Sequence, residues 1–325
     1  MPHAIQVHRP GGPEALAWEE VEVGDPGEGQ VRLRQTAIGL NFIDVYHRSG
    51  QYDQPMPFIP GVEGAGVVES VSPGVDDLKS GDRVAYAGPI GGYAEVRLIA
   101  ADRLVRLPDD IGDEQAAAMM LKGMTVDMLI RSVRPLKSGD TILIHAAAGG
   151  IGLILCQWAS ALGATVIGTV SSDEKAELAR AHGCHNPIVY TREDFVAEVD
   201  RLTEGRKLPA VYDSVGADTF LRSLDCLQKR GLMVSFGQSS GPVEPFAPRL
   251  LAQKGSLFLT RPTLFDYIAT REELEQSAAS LFDAVRSGKV KVDIGQRFPL
   301  SQAAEAHRAL ESRQTVGSTI LTVNS

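Results

Sequence analysis

One segment, His145-Ala-Ala-Ala-Gly-Gly-Ile-Gly-Leu153, constrains the fold of this chain more than any other. It ends the β-branched run Thr141–His145, leads into an apolar stretch, Leu153–Leu162, and is followed by a second β-branched run, Thr165–Val170. Strand, glycine loop, helix and strand together make the unit that cradles a dinucleotide. Against G-x-G-x-x-G, Ala147 stands at the first glycine position, and Gly149 and Gly152 hold the other two. Small residues let the backbone approach a pyrophosphate and let the helix pack on the sheet. The helix N-terminus adds free N–H groups and partial positive charge. Such a fingerprint alone is weak, but its place between a strand and a helix gives it weight. The expected phosphate loop is Gly149-Gly150-Ile151-Gly152.

About 20 residues past such a loop, an NAD-binding protein carries Asp or Glu for the ribose hydroxyls. Here the place is taken by Ser171-Ser172, with Lys175 just beyond. A carboxylate would repel a 2′-phosphate, whereas a serine donates to it. An ammonium about 4 Å from a phosphate charge gains roughly 4 kcal/mol before desolvation at intermediate dielectric. Asp173 and Glu174 oppose this, and Lys175 taken alone reads equally well as a solvated helix-face lysine. The pattern favours NADPH as cofactor.

From Thr141 onward, strand-like runs alternate with helical segments: Thr141–His145, Thr165–Val170, Pro187–Tyr190, Ala210–Asp213, Leu232–Ser235 and Ser256–Leu259. The segments between them are long enough for crossover helices, which is the pattern of a doubly wound parallel sheet. The first 120 or so residues differ, with short alternating runs such as 65–71, 83–86 and 93–99 punctuated by Gly and Pro; a compact β-rich domain fits. After Arg261, Thr270–Glu273 has capping-box spacing, and Leu274, Ala278, Leu281, Phe282 and Val285 follow at helical intervals. Strand-like Gln296–Leu300, helix-like Ala303–Glu311 and strand-like Ser318–Val323 close the chain. This tail is too short for a domain and is expected to rejoin the N-terminal one. The expected division is 1–123 and 262–325 for the split β-rich domain, and 124–261 for the nucleotide domain.

A net charge of −9 argues against broad binding to nucleic acid or to an anionic membrane, both of which call for dense positive patches. The three cysteines, Cys156, Cys184 and Cys226, are odd in number and lack metal-ligand spacing, so reduced thiols in a cytoplasmic protein are expected. The seven histidines form no metal-binding motif. No run approaches the 18 or so apolar residues of a membrane span, and Met1–Pro13 does not resemble a signal peptide.

The run Gly139-Asp-Thr-Ile-Leu143 through Ala146-Ala-Ala-Gly-Gly-Ile-Gly152 to Gln157 resembles the signature of the quinone oxidoreductase/zeta-crystallin family of the medium-chain dehydrogenase/reductase superfamily. So do 39–52, Leu121-Lys-Gly-Met-Thr125, Tyr212-Asp-Ser-Val-Gly216, Val234-Ser-Phe-Gly237, Lys254-Gly-Ser256, Thr260-Arg-Pro-Thr263 and Glu311-Ser-Arg313. The resemblance spans essentially the whole chain. It implies an α/β fold: a Rossmann doubly wound parallel sheet inserted in a split GroES-like β-rich catalytic domain, with the nicotinamide in the cleft between them. It also implies that Asn41, Phe42 and Tyr46 lie near the nicotinamide. Ser171, Ser172, Lys175, Tyr190 and Arg313 would surround the adenosine phosphate. Phe236, Gly237, Ser239, Ser240 and Gly241 would line the cofactor site, with Pro262, Thr263 and Leu264 beyond. Two departures stand out: Ser160, where the signature often has Lys or Arg, and Met128, where close relatives carry a tyrosine near the cofactor.

Zinc alcohol dehydrogenases of the superfamily carry Gly-His-Glu where this chain has Gly61-Val62-Glu63, and Val62 cannot ligate a metal. The expected activity is therefore metal-free reduction of a quinone by NADPH, with Asn41, Tyr46 and Tyr52 as the polar groups that position the reactants. An alkenal or enone reductase would use the same residues. A crystallin-like or AU-rich RNA-binding protein is the non-enzymatic alternative. By resemblance, the sheet edge near Ser256–Leu259 would pair across a homodimer.

Overall fold

The computed structural model describes residues 1–323. The chain separates into two compact units, one of residues 1–124, 268–282 and 292–325, the other of residues 125–267 and 283–291.

The second unit is built on a six-stranded parallel sheet of Thr141–Ile144, Thr165–Val170, Asn186–Val189, Leu208–Asp213, Leu227–Ser235 and Phe258–Thr260. Numbered in chain order, the strands lie 3-2-1-4-5-6, so the order reverses beside the first strand. That is the doubly wound Rossmann arrangement, whose ligands bind outside the carboxyl ends of the strands at the reversal. The first four strands are apolar, rich in β-branched residues and mostly buried, as helices covering both sides of a parallel sheet require. Leu143, Ile167, Ile188, Val211 and Met233 share one cluster with Phe195 and Val199 of the helix Phe195–Leu202.

The helix after the first strand runs Gly150–Ala161, three residues earlier than the apolar stretch predicts. Its N-cap, Gly149, is extended (φ −80°, ψ 173°), so Gly150 and Gly152 lie in the first turn rather than in the preceding loop. The first-turn N–H groups have no partner within the helix, which leaves them available to an anion. Gly152 is required by crowding. A Cβ there would lie 2.7 Å from the carbonyl carbon of Ala147 and would also strike the Ala146 carbonyl oxygen.

The first unit holds a seven-stranded sheet and a separate two-stranded one. In the larger sheet, Gln30–Leu40 is the common partner: it pairs antiparallel with Glu63–Val71, Val96–Ala100 and Ser318–Thr322. Leu321 opposite Ile38 places the last strand inside this sheet, so the chain returns to its own N-terminal portion. The bulges along Gln30–Leu40 let it serve different neighbours along its length. The short helix Phe42–Arg48 follows this strand directly, with Asn41 as its N-cap.

Gly168, on the second strand of the parallel sheet, lies beneath the phosphate loop. A Cβ there would be 2.6 Å from the Ala147 Cβ and 2.7 Å from the Cys184 sulfur. Gly168→Ala is expected to lower the stability measured by urea unfolding by about 1–3 kcal/mol. An unchanged midpoint would mean that the loop yields freely to the strand.

Candidate functional site

At the carboxyl ends of the parallel strands, backbone rather than side chains forms most of the surface. Ala147 N–H donates to the Thr169 carbonyl at 3.0 Å, and Gly149 N–H donates to the Ala146 carbonyl at 3.0 Å, which fixes the phosphate loop against the second strand. His145, just before the loop, is a packing group: its ring meets Thr169 Oγ1 at 2.9 Å and Ser223 Oγ at 2.8 Å, and burial holds its pKa below the usual value.

Loops 214–217 and 236–241 form the next part of the rim. Asp213 is fully buried, and its Oδ1 accepts from Val215 N–H (2.7 Å) and Gly216 N–H (3.1 Å) while its Oδ2 accepts from Thr219 Oγ1 (2.8 Å). Ser240 donates to the Val215 carbonyl at 2.8 Å and accepts from Asp218 N–H, so its hydroxyl holds the two loops together. Gly237 has no room for a side chain, since a Cβ would lie 2.6 Å from the Ser214 carbonyl oxygen. Phe236 N–H bonds the Asp213 carbonyl, and Ser239 N–H the Ser214 carbonyl. Pro262, Thr263 and Leu264 follow the sixth strand in the same unit.

The end of the second strand carries Ser171, Ser172, Lys175 and, across from it, Tyr190. Ser172 is the N-cap of the helix Asp173–Ala181, its Oγ accepting from Lys175 N–H at 3.3 Å. The acid that opposed a 2′-phosphate in the sequence has a partner of its own. Asp173 takes both arms of Arg192 at 2.7 and 2.5 Å, and its pKa is lowered chiefly by that bond. Glu174 is lowered chiefly by its hydrogen bond with Ser172. Tyr190 is 40% exposed. Arg313, which follows the helix Ala303–Glu311, belongs to the first unit.

In the first unit, Asn41 and the helix it caps bring three predicted side chains together. Tyr46 and Tyr52 meet edge to face at 5.3 Å, Phe42 lies 6.3 Å from Tyr46, and Tyr52 N–H bonds the Tyr46 carbonyl. Asn41 Nδ2 donates to Glu63 Oε2 at 2.8 Å. The same oxygen receives the ammonium of Lys122 at 2.8 Å, while Oε1 accepts Leu121 N–H at 2.8 Å. The sequence reading did not single out Glu63 or Lys122 as functional. The available sign was a lone lysine in the apolar run Ala116-Ala-Ala-Met-Met-Leu-Lys-Gly-Met124.

A buried polar chain runs from this cluster. Asp44 Oδ2 accepts from Asn41 N–H and Tyr93 O–H, each at 2.9 Å. Tyr93 Oη faces His307 Nε2 at 3.1 Å, and His307 Nδ1 faces Arg48 Nη1 at 3.0 Å. Arginine only donates, so Nδ1 accepts and Nε2 carries the proton. Burial, reinforced by Arg48, therefore lowers His307 to about 3. Arg48 itself grips Glu311 with two bonds, at 2.9 and 2.8 Å. Asp44 has no solvent exposure and its Oδ1 has no partner, and burial raises its pKa to about 7.

Comparison with known proteins covers the whole chain. Residues 27–109 match the alcohol dehydrogenase GroES-like domain, and residues 150–283 match the zinc-binding dehydrogenase domain. A quinone oxidoreductase of Pseudomonas aeruginosa is 53% identical, over 99% of both chains. A 2-haloacrylate reductase of Burkholderia is 47% identical, over 98% of both. The crystal structure of Escherichia coli quinone oxidoreductase complexed with NADPH superposes with a TM-score of 0.97 at 50% identity, covering 98% of this chain and 99% of that one.

The zinc named for the second of these families does not fit the residues at Gly61-Val62-Glu63. Val62 is buried and offers no lone pair, and Glu63 already accepts three donors, one of them a cation. Among the described residues, no three His, Cys, Asp or Glu side chains gather as a metal site requires.

Because the folded-state pKa of Asp44 lies above its ordinary value of 3.8, the native protein keeps a proton that the unfolded chain releases between about pH 4 and 7. That contribution to stability is present in acid and lost as the pH rises to about 7. His307, lowered from 6.5 to about 3, acts in the opposite direction over much of the same window. Asp44→Asn removes the first effect alone. Its stability relative to the parent is expected to rise between pH 4 and 7.5 by up to roughly 4 kcal/mol, then level off. Paired urea titrations across that range check it, and a pH-independent difference would refute it.

Proposed function

Since the chain belongs to the quinone oxidoreductase family of the medium-chain dehydrogenase/reductase superfamily, we propose that it reduces quinones with NADPH and without a metal. The observation that carries the cofactor assignment is the carboxylate-free Ser171-Ser172 turn, whose neighbouring Asp173 is neutralised by Arg192. NADPH supplies the hydride when bound.

Each group of residues then has a stated task. The first-turn N–H groups of Gly150, Ile151 and Gly152 face the pyrophosphate, and Gly149, whose own N–H bonds the Ala146 carbonyl, shapes the turn that presents them. Ser171, Lys175 and Tyr190 hold the 2′-phosphate, Ser172 fixes the first turn that carries Lys175, and the role of Arg313 rests on the family resemblance alone. The loop 236–241 and residues 262–264 shape the remaining length of the cofactor site with backbone and small side chains. Asn41, Phe42 and Tyr46 adjoin the nicotinamide, and Tyr46 and Tyr52 present a paired aromatic surface to the acceptor. These residues orient the reactants and exclude water; the acceptor is already electrophilic.

Reduction of an activated carbon–carbon double bond is the second reading, favoured by the likeness to a 2-haloacrylate reductase. Side-by-side turnover of quinones and enones separates the two. A salt-dependent shift of AU-rich RNA in a gel at physiological ionic strength would support the binding-protein alternative. No helix among the described residues is long and apolar enough to cross a membrane. The three free, buried cysteines suit a reducing cytoplasm. We also place a homodimer contact at the edge strand Phe258–Thr260, where Phe258 is 61% and Leu259 39% exposed; an open apolar edge calls for a cover.

Two outcomes follow. With a quinone acceptor, the protein is expected to prefer NADPH over NADH by tenfold or more, and Lys175→Gln to raise the KM for NADPH by roughly tenfold while leaving that for NADH unchanged, as loss of one charge-assisted bond implies. No turnover of any quinone would overturn the assignment. In light scattering at micromolar concentration the parent is expected to be a dimer and Phe258→Asp a monomer; a monomeric parent would refute the contact.

A further inference from the structure

Lys122 has an unusual environment for a lysine. It is 5% exposed, and no other lysine among the described residues is buried. Its ammonium bonds a single acceptor, Glu63 Oε2 at 2.8 Å. An ammonium carries three N–H donors, and the other two of Lys122 meet no acceptor among the described residues. Neutralising Glu63 accounts for one bond, and leaving two buried donors unmet carries a desolvation cost.

The surroundings point to what the spare donors meet. Glu63 Oε2 also accepts the Asn41 amide, so Lys122 and Asn41 converge on one atom. Asn41 is the residue proposed above to adjoin the reactants, at the start of the helix that carries Tyr46. Glu63 directly follows Val62, where zinc relatives bear a metal-ligating histidine. A fixed positive charge is therefore paired with the neighbour of the residue that replaces that histidine.

We propose that Lys122, held by Glu63, is a catalytic residue that donates a hydrogen bond to the carbonyl oxygen of the substrate and meets the negative charge that builds there. This rests on the quinone-reductase reading. The quinone takes up the hydride of NADPH and becomes the hydroquinone monoanion, leaving NADP⁺; a solvent proton then completes the hydroquinone. Lys122 keeps its proton throughout. A preorganised donor aimed at developing charge in a water-poor site is the device of an oxyanion hole.

Lys122→Met alone would strand the Glu63 charge, so the informative variant is Lys122→Met with Glu63→Gln, which removes both charges. It is expected to unfold cooperatively, to bind NADPH within twofold of the parent by fluorescence quenching, and to lose roughly 100-fold in kcat with little change in quinone KM. Lys122→Arg, which keeps a cation, is expected to retain more activity than the double variant. A folded double variant with kcat within threefold of the parent would show that Lys122 only neutralises Glu63, and would overturn the proposal. A second readout needs no turnover: the pKa of 4-nitrophenol bound to the NADP⁺ form, read from its phenolate absorbance. The parent is expected to lower it by about one unit and the double variant to leave it at its solution value. If the parent reduces no quinone, the assigned function fails but this titration still decides the role of Lys122. An unshifted nitrophenol in the parent counts against the role, and a shift lost in the double variant supports it.

Discussion

The carboxylate of Glu63 is the point on which the first unit is organised. It has no solvent exposure, and an isolated buried charge costs several kcal/mol unless protein groups replace its water. The three donors that do so come from two other places in the chain: the amide of Asn41, and the backbone of Leu121 with the ammonium of Lys122 next to it. One side chain thus joins the start of the strand Glu63–Val71, the N-cap of Phe42–Arg48 and the helix Asp113–Asp127. Nearby glycines follow from the same crowding. A Cβ on Gly39 would strike the Glu63 carboxylate and the Ala117 carbonyl, and one on Gly64 would lie 2.7 Å from Gln35 Oε1 and from Tyr86 Oη.

The second unit solves a similar problem without a cation. Asp213 is as buried as Glu63, yet its donors are two backbone N–H groups and one hydroxyl, all from the loop it precedes. The bonds are local, so they fix the loop rather than join distant elements. The difference matches the two kinds of recognition. A pyrophosphate is met by backbone N–H groups at a helix start, which calls for small residues and fixed loops. A carbonyl that gains charge in the reaction is met by a charged side chain, which needs a counter-charge to hold it in place.

The first four strands of the parallel sheet were legible because they are mostly buried, and an apolar, β-branched run is readable without knowing its neighbours. Thr165–Val170 and the helix Ala303–Glu311 appear in the structure as read from the sequence. The helix start at Gly150 was placed late because glycine resembles loop and helix first turn equally in sequence; only the extended Gly149 settles it. The pairing of Asp173 with Arg192 joins the first residue of a helix to a residue 19 positions on, and no local pattern signals it. Lys122 and Asp44 were missed for a similar reason. Their significance lies in burial and in partners drawn from distant segments, such as Glu63 and Tyr93, while their own surroundings read as ordinary helix. The roles given to Asn41, Tyr46, Tyr52 and the cofactor residues come from the resemblance; the geometry supplies their partners and their burial.

The chemistry and the buried cluster agree in strength as well as in position. Oxidising an alcohol requires an alkoxide, and a zinc ion stabilises that strongly localised charge directly. A quinone starts electrophilic, and its reduced oxygen is part of a conjugated ring that spreads the charge. One ammonium, itself partly balanced by a carboxylate, stabilises developing charge by hydrogen bonding and less strongly than a divalent Lewis acid, and the reaction asks for less. The same arrangement would serve any acceptor whose hydride adduct carries its charge on a conjugated oxygen. Enones meet that description alongside haloacrylates and quinones, the two classes for which similar proteins are named.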